Sequence, residues 1–140
     1  MKIDQLLEEK SEVILGRAER GIRTACLKDY RAAGKDEIRR RLVAIYGVVV
    51  ACIRERDLVP VIEDAKRIAR ERFTSGFALY EVQAAFNALE EAIWLEIVED
   101  LESRDQQEAF TMVSTALGMG KDAFARAYVS LASRTKTRRP

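Results

Sequence analysis

From Leu79 onward the large apolar residues Val82, Phe86, Leu89, Ile93, Ile97 and Leu101 recur at steps of three or four. That spacing keeps one stripe of a 3.6-residue helix facing inward and predicts a long amphipathic helix from Leu79 to Leu101. Ala85, Ala88 and Ala92 lie among the large residues and would let a neighbouring helix approach closely. Just upstream, Thr74-Ser75-Gly76 reads as a helix stop, because glycine accepts the left-handed backbone of a helix C-terminus without a Cβ clash. Two helices therefore meet at Gly76 through a tight corner. Phe73, Phe77, Tyr80, Phe86 and Trp94 gather here, so the core is expected to centre on Arg72 to Leu101.

The flanking segments follow the same period. Met1 to Ala33 is helix-forming, with Ile3, Leu6, Leu7, Val13, Ile14, Ile22, Cys26 and Leu27 on inner faces. Ser11 with Glu12 can start a second helix, and Gly16 and Gly21 each cost ~1 kcal/mol relative to alanine inside one. A break is expected between Ser11 and Gly21, and Gly34 closes the segment. Asp36 is the expected N-cap of a helix from Glu37 to Asp57, on the stripe Ile38, Leu42, Ile45, Val49, Cys52 and Ile53. The middle of that helix is apolar nearly all round, which implies burial on more than one side or against a second subunit. Ile45, Val48, Val49 and Cys52 are its candidate dimer face. Val48 to Val50 have poor helix propensity, so a strand is the alternative, though no second strand-like run exists to pair with it.

Pro60 suits the first turn of the next helix, with Ile62, Ala65, Ile68, Ala69 and Phe73 inward and Lys66, Arg67, Arg70, Glu71 and Arg72 in water. Beyond the central helix, Ser103 to Asp105 form a turn. Asp105 caps a last helix from Gln106 to about Ser133, on Phe110, Val113, Leu117, Phe124, Tyr128 and Leu131. Gly118 and Gly120 within it permit close packing or mark a kink. Residues 134–140 are basic, have no apolar anchor and are expected to form a flexible tail. The sum is a single all-α domain over residues 1–133, with five or six helices in an antiparallel bundle or a globin-like arrangement.

Composition narrows the chemistry. A chain of 140 residues, 48% hydrophobic and 34% charged, suits one soluble domain. Its longest apolar run, Val48 to Ile53, falls far short of the ~18 residues of a membrane span. The first ten residues lack a signal peptide's apolar centre, so a cytoplasmic location is expected. Cys26 and Cys52 look like buried hydrophobes rather than a disulfide. There is no histidine. The usual general base, the commonest zinc ligand and the proximal ligand of a haem globin are therefore missing. No phosphate-binding glycine loop or nucleophile motif is found, and no catalytic residue, metal ligand or cofactor is assigned.

Glu96, Glu99 and Asp100 share a helical face at i, i+3 and i+4, the reach of a shared metal ion in a bundle, but the Glu-x-x-His partners of such sites are lacking. A solvated acidic face is the ordinary reading. Together with Glu102, these acids oppose the helix dipole by roughly 0.3–1 kcal/mol each in the last turn. They form a candidate docking surface for a basic partner. Arg39-Arg40-Arg41 and the tail Arg134, Lys136, Arg138 and Arg139 could meet phosphate, yet the net charge of +1 and the want of a reading helix or aromatic platform disfavour nucleic acid. Tyr46, Phe73, Phe77, Tyr80, Phe86 and Trp94 are the candidate lining of a small-molecule pocket, with core packing as the more ordinary use.

The stretch Arg72-x-x-x-Gly76-Phe77-x-Leu79-x-Glu81-Val82-x-x-Ala85-Phe86-x-x-Leu89-x-x-Ala92-Ile93-Trp94 resembles the second half of the N-terminal sensor domain of RsbR/RsbRD-type proteins, the RsbT co-antagonists of the bacterial stressosome. The resemblance implies a helical, often globin-like, non-haem domain that dimerises and passes a signal to a C-terminal output module, commonly a STAS domain. It brings no catalytic residues. The chain ends after its last helix with no STAS module, so a stand-alone sensor or adaptor is expected. The expected function is a non-enzymatic bacterial signalling module, a homodimer with a signalling protein as partner, in which packing of the Glu37 to Asp57 and Leu79 to Leu101 helices is biased and the last helix passes the change onward. The alternative is a binding protein for a small lipophilic or aromatic ligand.

Overall fold

Two breaks divide the first 33 residues. In the computed structural model, which describes residues 1–25 and 27–138 and only the backbone of 135–138, α1 spans Ile3–Glu9, α2 Ser11–Thr24 and α3 Lys28–Ala33. The first break falls at Lys10, so Ser11 does begin a helix, and Gly16 and Gly21 both lie inside α2. Their cost is met by burial of Ile14, Leu15, Ala18 and Ile22. A Cβ placed on Gly21 would meet the Ala88 Cβ at 3.6 Å, so small residues on both sides bring α2 close to the central helix. Cys26 lies outside the described residues.

Helix α4 covers Lys35–Glu55. Its N-cap is Gly34 at φ 91, a backbone angle that suits glycine, and Asp36 stands one step inside the first turn instead of capping it. Val48 to Val50 are helical, and no strand occurs among the described residues. Helix α5, Val59–Ser75, starts where Asp57 Oδ1 accepts the Val59 N–H at 3.0 Å, with Pro60 in its first turn. Helix α6 is Leu79–Asp100, and α7 runs unbroken from Ser103 to Arg138. Asp105 therefore sits within the first turn of α7, and the helix continues past Ser133; Arg139 and Pro140 lie outside the described residues. Gly118 faces open space, whereas a Cβ on Gly120 would stand 3.0 Å from Val61 and 3.3 Å from Phe86. Gly120 thus permits close packing of α7 on α5 and α6.

The described helices pack as one all-α bundle. Helix α6 lies antiparallel to α2, as Arg17 beside Glu96 and Gly21 beside Ala88 show. Helix α7 returns antiparallel to α6, pairing Trp94 with Phe110 and Phe86 with Phe124, and so runs parallel to α5. Helix α4 packs against every other helix. Of its apolar middle, Ile45, Val49 and Cys52 are buried within a single copy, Val48 and Val50 are half-buried, and Val43 is exposed. The stripe Val82, Phe86, Leu89, Ile93, Ile97 and Leu101 is buried as its spacing requires.

Candidate functional site

The α5–α6 corner is built by the residues that stop one helix and start the next. Gly76, at φ 81, ends α5: its N–H donates to Phe73 O at 3.2 Å and the Phe77 N–H donates to Arg72 O at 2.9 Å. This double bond pattern closes a helix over a left-handed residue. It also turns Phe77 back against Arg72. The Phe77 ring then lies with the Arg41 guanidinium 4.4 Å and the Arg72 guanidinium 5.7 Å from its centroid, and meets the edge of Tyr30 at 5.3 Å. Arg72 is only 4% exposed, against the expectation that it faces water. The helical period of α5 sets it three and four residues after Ala69 and Ile68 on the buried stripe, away from Arg70, the returning Phe77 covers it, and stacking on a ring face suits a weakly hydrated guanidinium.

Helix α6 has no side-chain cap of its own. The Ala78 N–H donates instead to Asp29 Oδ2 at 3.0 Å, while the Asp29 N–H at the start of α3 donates to both Glu81 oxygens at 2.9 and 3.1 Å. Two helices 52 residues apart in sequence thereby cap one another, in the manner of a capping box split between segments. Glu81 is 1% exposed. Burial, then the neighbouring Asp29 carboxylate, push its pKa up, and the hydrogen bonds with Glu81 and then the Ala78 backbone hold Asp29 down. Burial likewise pushes the Tyr30 hydroxyl up, against the pull of Arg72 and Arg41. Helix α7 joins through the Tyr128 hydroxyl, which donates to Phe77 O at 2.8 Å, and through ring contact with Phe73 at 5.4 Å. Five helices thus meet in a buried polar junction. Arg72 Nη1 is held by Glu71 at 2.7 Å and Arg41 Nε by Glu37 at 2.8 Å, yet Arg72 Nε and Arg41 Nη1 are buried without a hydrogen-bond partner.

A second cluster occupies the other end of α6. Glu96 is 3% exposed, with Arg17 Nη1 of α2 at 3.1 Å, and the same guanidinium reaches Glu99 at 3.3 Å. Burial first, and then the Asp100 carboxylate, push the Glu96 pKa up. The expected acidic surface is therefore divided. Glu96 is internal, Glu99 is bridged, Asp100 is half-buried, and Glu102 is exposed beside Arg104 at 3.0 Å. Arg17 covers the face on which three carboxylates could have shared a metal ion. Among the described residues no group of three or more His, Cys, Asp or Glu is placed to hold one.

The six aromatics do not converge on one cavity. Tyr46 is buried, its hydroxyl bonded to Leu7 O; Phe73 packs on Tyr128, Phe77 on Tyr30, Phe86 on Phe124 at 6.3 Å and Trp94 on Phe110 at 5.9 Å. Tyr80 is exposed. The triple arginine is neutralised within the chain, Arg39 by Glu12 and Glu19, Arg40 and Arg41 by Glu37. Burial pushes the Cys52 thiol up. Asp29 and Arg17 went unselected in the sequence because each acts on a partner far away in the chain, while Arg41 was read only as a phosphate contact and Tyr128 only as a core residue. The acid at the first turn after Leu27 was the one available cue to Asp29.

No described helix is long and apolar enough to cross a membrane. The family model described as "RsbT co-antagonist protein rsbRD N-terminal domain" matches residues 12–135. No curated protein and no solved structure matches the chain.

Proposed function

The chain belongs to the family of RsbT co-antagonist rsbRD N-terminal domains, and from that premise we propose a non-enzymatic signalling module that works in the cytoplasm as a homodimer. It acts by helix repacking. The observation that supports this most is the buried junction around Phe77, where charged groups from α3, α4, α5 and α6 sit inside the fold with donors unmet on Arg72 and Arg41. Buried polar groups in a low-dielectric interior have strong and direction-dependent interactions. A small shift of α4 against α6 would re-pair them, which makes the junction a candidate two-state element. Tyr128, tied to the Phe77 carbonyl, then carries the change into α7. The partner is another signalling protein, one that acts with or on an RsbT-type regulator.

Hydrogen–deuterium exchange on the intact chain tests the coupling. In Glu81→Gln, exchange is expected to rise together in α3, the start of α6 and the Tyr128 region of α7. A rise confined to α3 and α6 would leave α7 uncoupled and overturn the mechanism. Native mass spectrometry tests the rest: a dimer without added mass agrees with the module, while a monomer carrying a defined extra mass would favour a ligand-binding protein.

A further inference from the structure

Helices α5 and α7 run side by side and leave a groove of about 510 Å³ between them. Its floor is apolar, formed by Ile62, Met119, Ala123 and Ala127. Its walls are basic: Lys66 and Arg70 on α5, Arg126 and Arg134 on α7, with Asp122 as the one acid in the lining. Arg126 holds Asp122 at 2.9 Å and Lys66 lies 3.5 Å from Glu63, but among the described residues Arg70 and Arg134 have no ion-pair partner. From Met119 to Arg134 the groove follows four turns of α7, ~22 Å at 1.5 Å per residue. The apolar floor covers Met119 to Ala127, ~12 Å of that length, and such a floor between cationic walls fits an amphipathic helix with acidic flanks.

The chain itself presents such a helix face. On α6, Trp94, Leu95 and Val98 are 41%, 47% and 59% exposed, three large apolar side chains within five residues. Glu91 stands exposed at one end of the stripe and has no ion-pair partner among the described residues, and Glu102, just past the end of α6 and 3.0 Å from Arg104, stands exposed beyond the other. The helical stripe from Glu91 to Val98 is ~10 Å long and fits within the groove. We infer that the α6 stripe of one copy docks in the α5/α7 groove of a second copy, its carboxylates set against Lys66, Arg70 and Arg134. The contact joins two different patches. A two-fold pair would engage both grooves at once, and a head-to-tail relation would close into a ring or propagate as a filament according to its rotation. Complementary charge fixes the register and speeds the encounter, while the apolar floor removes the α6 side chains from water. This inference rests on the proposed homodimer and specifies its contact.

Sedimentation velocity of the intact chain tests it with two exposed charge reversals, Lys66→Glu with Arg70→Glu in the groove and Glu91→Lys with Glu102→Lys on the stripe. Circular dichroism confirms that each variant stays folded. The wild type is expected to self-associate, each variant alone to weaken association at least tenfold, and an equimolar mixture of the two to recover it. Association of the wild type that neither reversal changes would overturn the inference and leave the dimer standing on another surface. A wild type that stays monomeric at the highest concentration would overturn both. If that monomer bound a synthetic acidic amphipathic peptide, and Arg70→Glu abolished the binding, the occupant would be a different protein and the contact between copies would fall.

Discussion

The two ends of α6 each bury a glutamate, and they hold it in opposite ways. Glu81 lies at the N-terminal end, where the helix field favours an anion, and takes both of its hydrogen bonds from the backbone of α3. Among the described residues it has no ion-pair partner, although the charge of Lys28 pulls on it. Glu96 lies near the C-terminal end, where that field is unfavourable, and depends on the Arg17 guanidinium from α2. Burial pushes both carboxyls up, and in each a second carboxylate adds to the push. The first arrangement locks helices of the corner to one another. The second neutralises a charge that the local backbone cannot.

The largest expected effect follows from removing the cation. Arg17→Met should cost about 3 kcal/mol in urea unfolding at neutral pH, the low end for leaving a buried charge unpaired, because Arg17 keeps 26% of its side-chain exposure. Adding Glu96→Gln should recover most of that loss. A cost below about 0.5 kcal/mol for Arg17→Met, the range of ordinary surface changes, would break the contrast between the two ends. At the other end Glu81→Gln should cost ~1–3 kcal/mol, the penalty for disturbing a buried acceptor and its donors. Its effect and that of Asp29→Asn should be non-additive in a double-mutant cycle. Strict additivity would mean that the reciprocal caps act independently.

A smaller effect separates the acids by pH. The folded state holds a proton on Glu81 and Glu96 more readily than the unfolded chain does, so their contribution to stability falls as pH rises above the ordinary value of 4.5 through the raised folded-state values. The cost of Glu81→Gln should therefore shrink between acid and neutral pH. Glu37 behaves in the opposite sense. Its bonds to Arg40 and Arg41 hold it at about 2, so its contribution is complete above 4.5 and is lost as pH falls towards 2. Glu37→Gln should flatten the acid limb of a thermal-stability profile, and an unchanged limb would reject that assignment. The smallest effect is expected for Glu99→Gln, which removes the exposed arm of the Arg17 bridge. Its cost should stay within ~0.5 kcal/mol and vanish in high salt.

Particular residues show where sequence reading reaches its limit. Gly76 was legible because one backbone conformation demands it, and Pro60 because it suits a first helical turn. Arg72 was read as exposed because its sequence neighbours Arg70 and Glu71 are charged, although the period that buries Ala65, Ile68 and Ala69 includes it, and the ring that covers it belongs to the next element. The aromatics were legible as core residues but not as pairs, since pairing depends on how helices cross. The acidic run at the end of α6 was visible, but Arg17 lies 82 residues from Glu99 and nothing near either residue predicts the bridge.

What the sequence by itself determined is therefore the set of long helices, their inner stripes, the corner at Gly76 and the absence of histidine chemistry. Each of these rests on short-range sterics or on a period summed over many residues, so a single chain suffices to read it. Only the tertiary structure decided which acid meets which cation, and how much of the apolar middle of α4 its own chain covers. Those outcomes depend on distances between segments that no local preference encodes, and burial makes each polar pairing inside the fold strong.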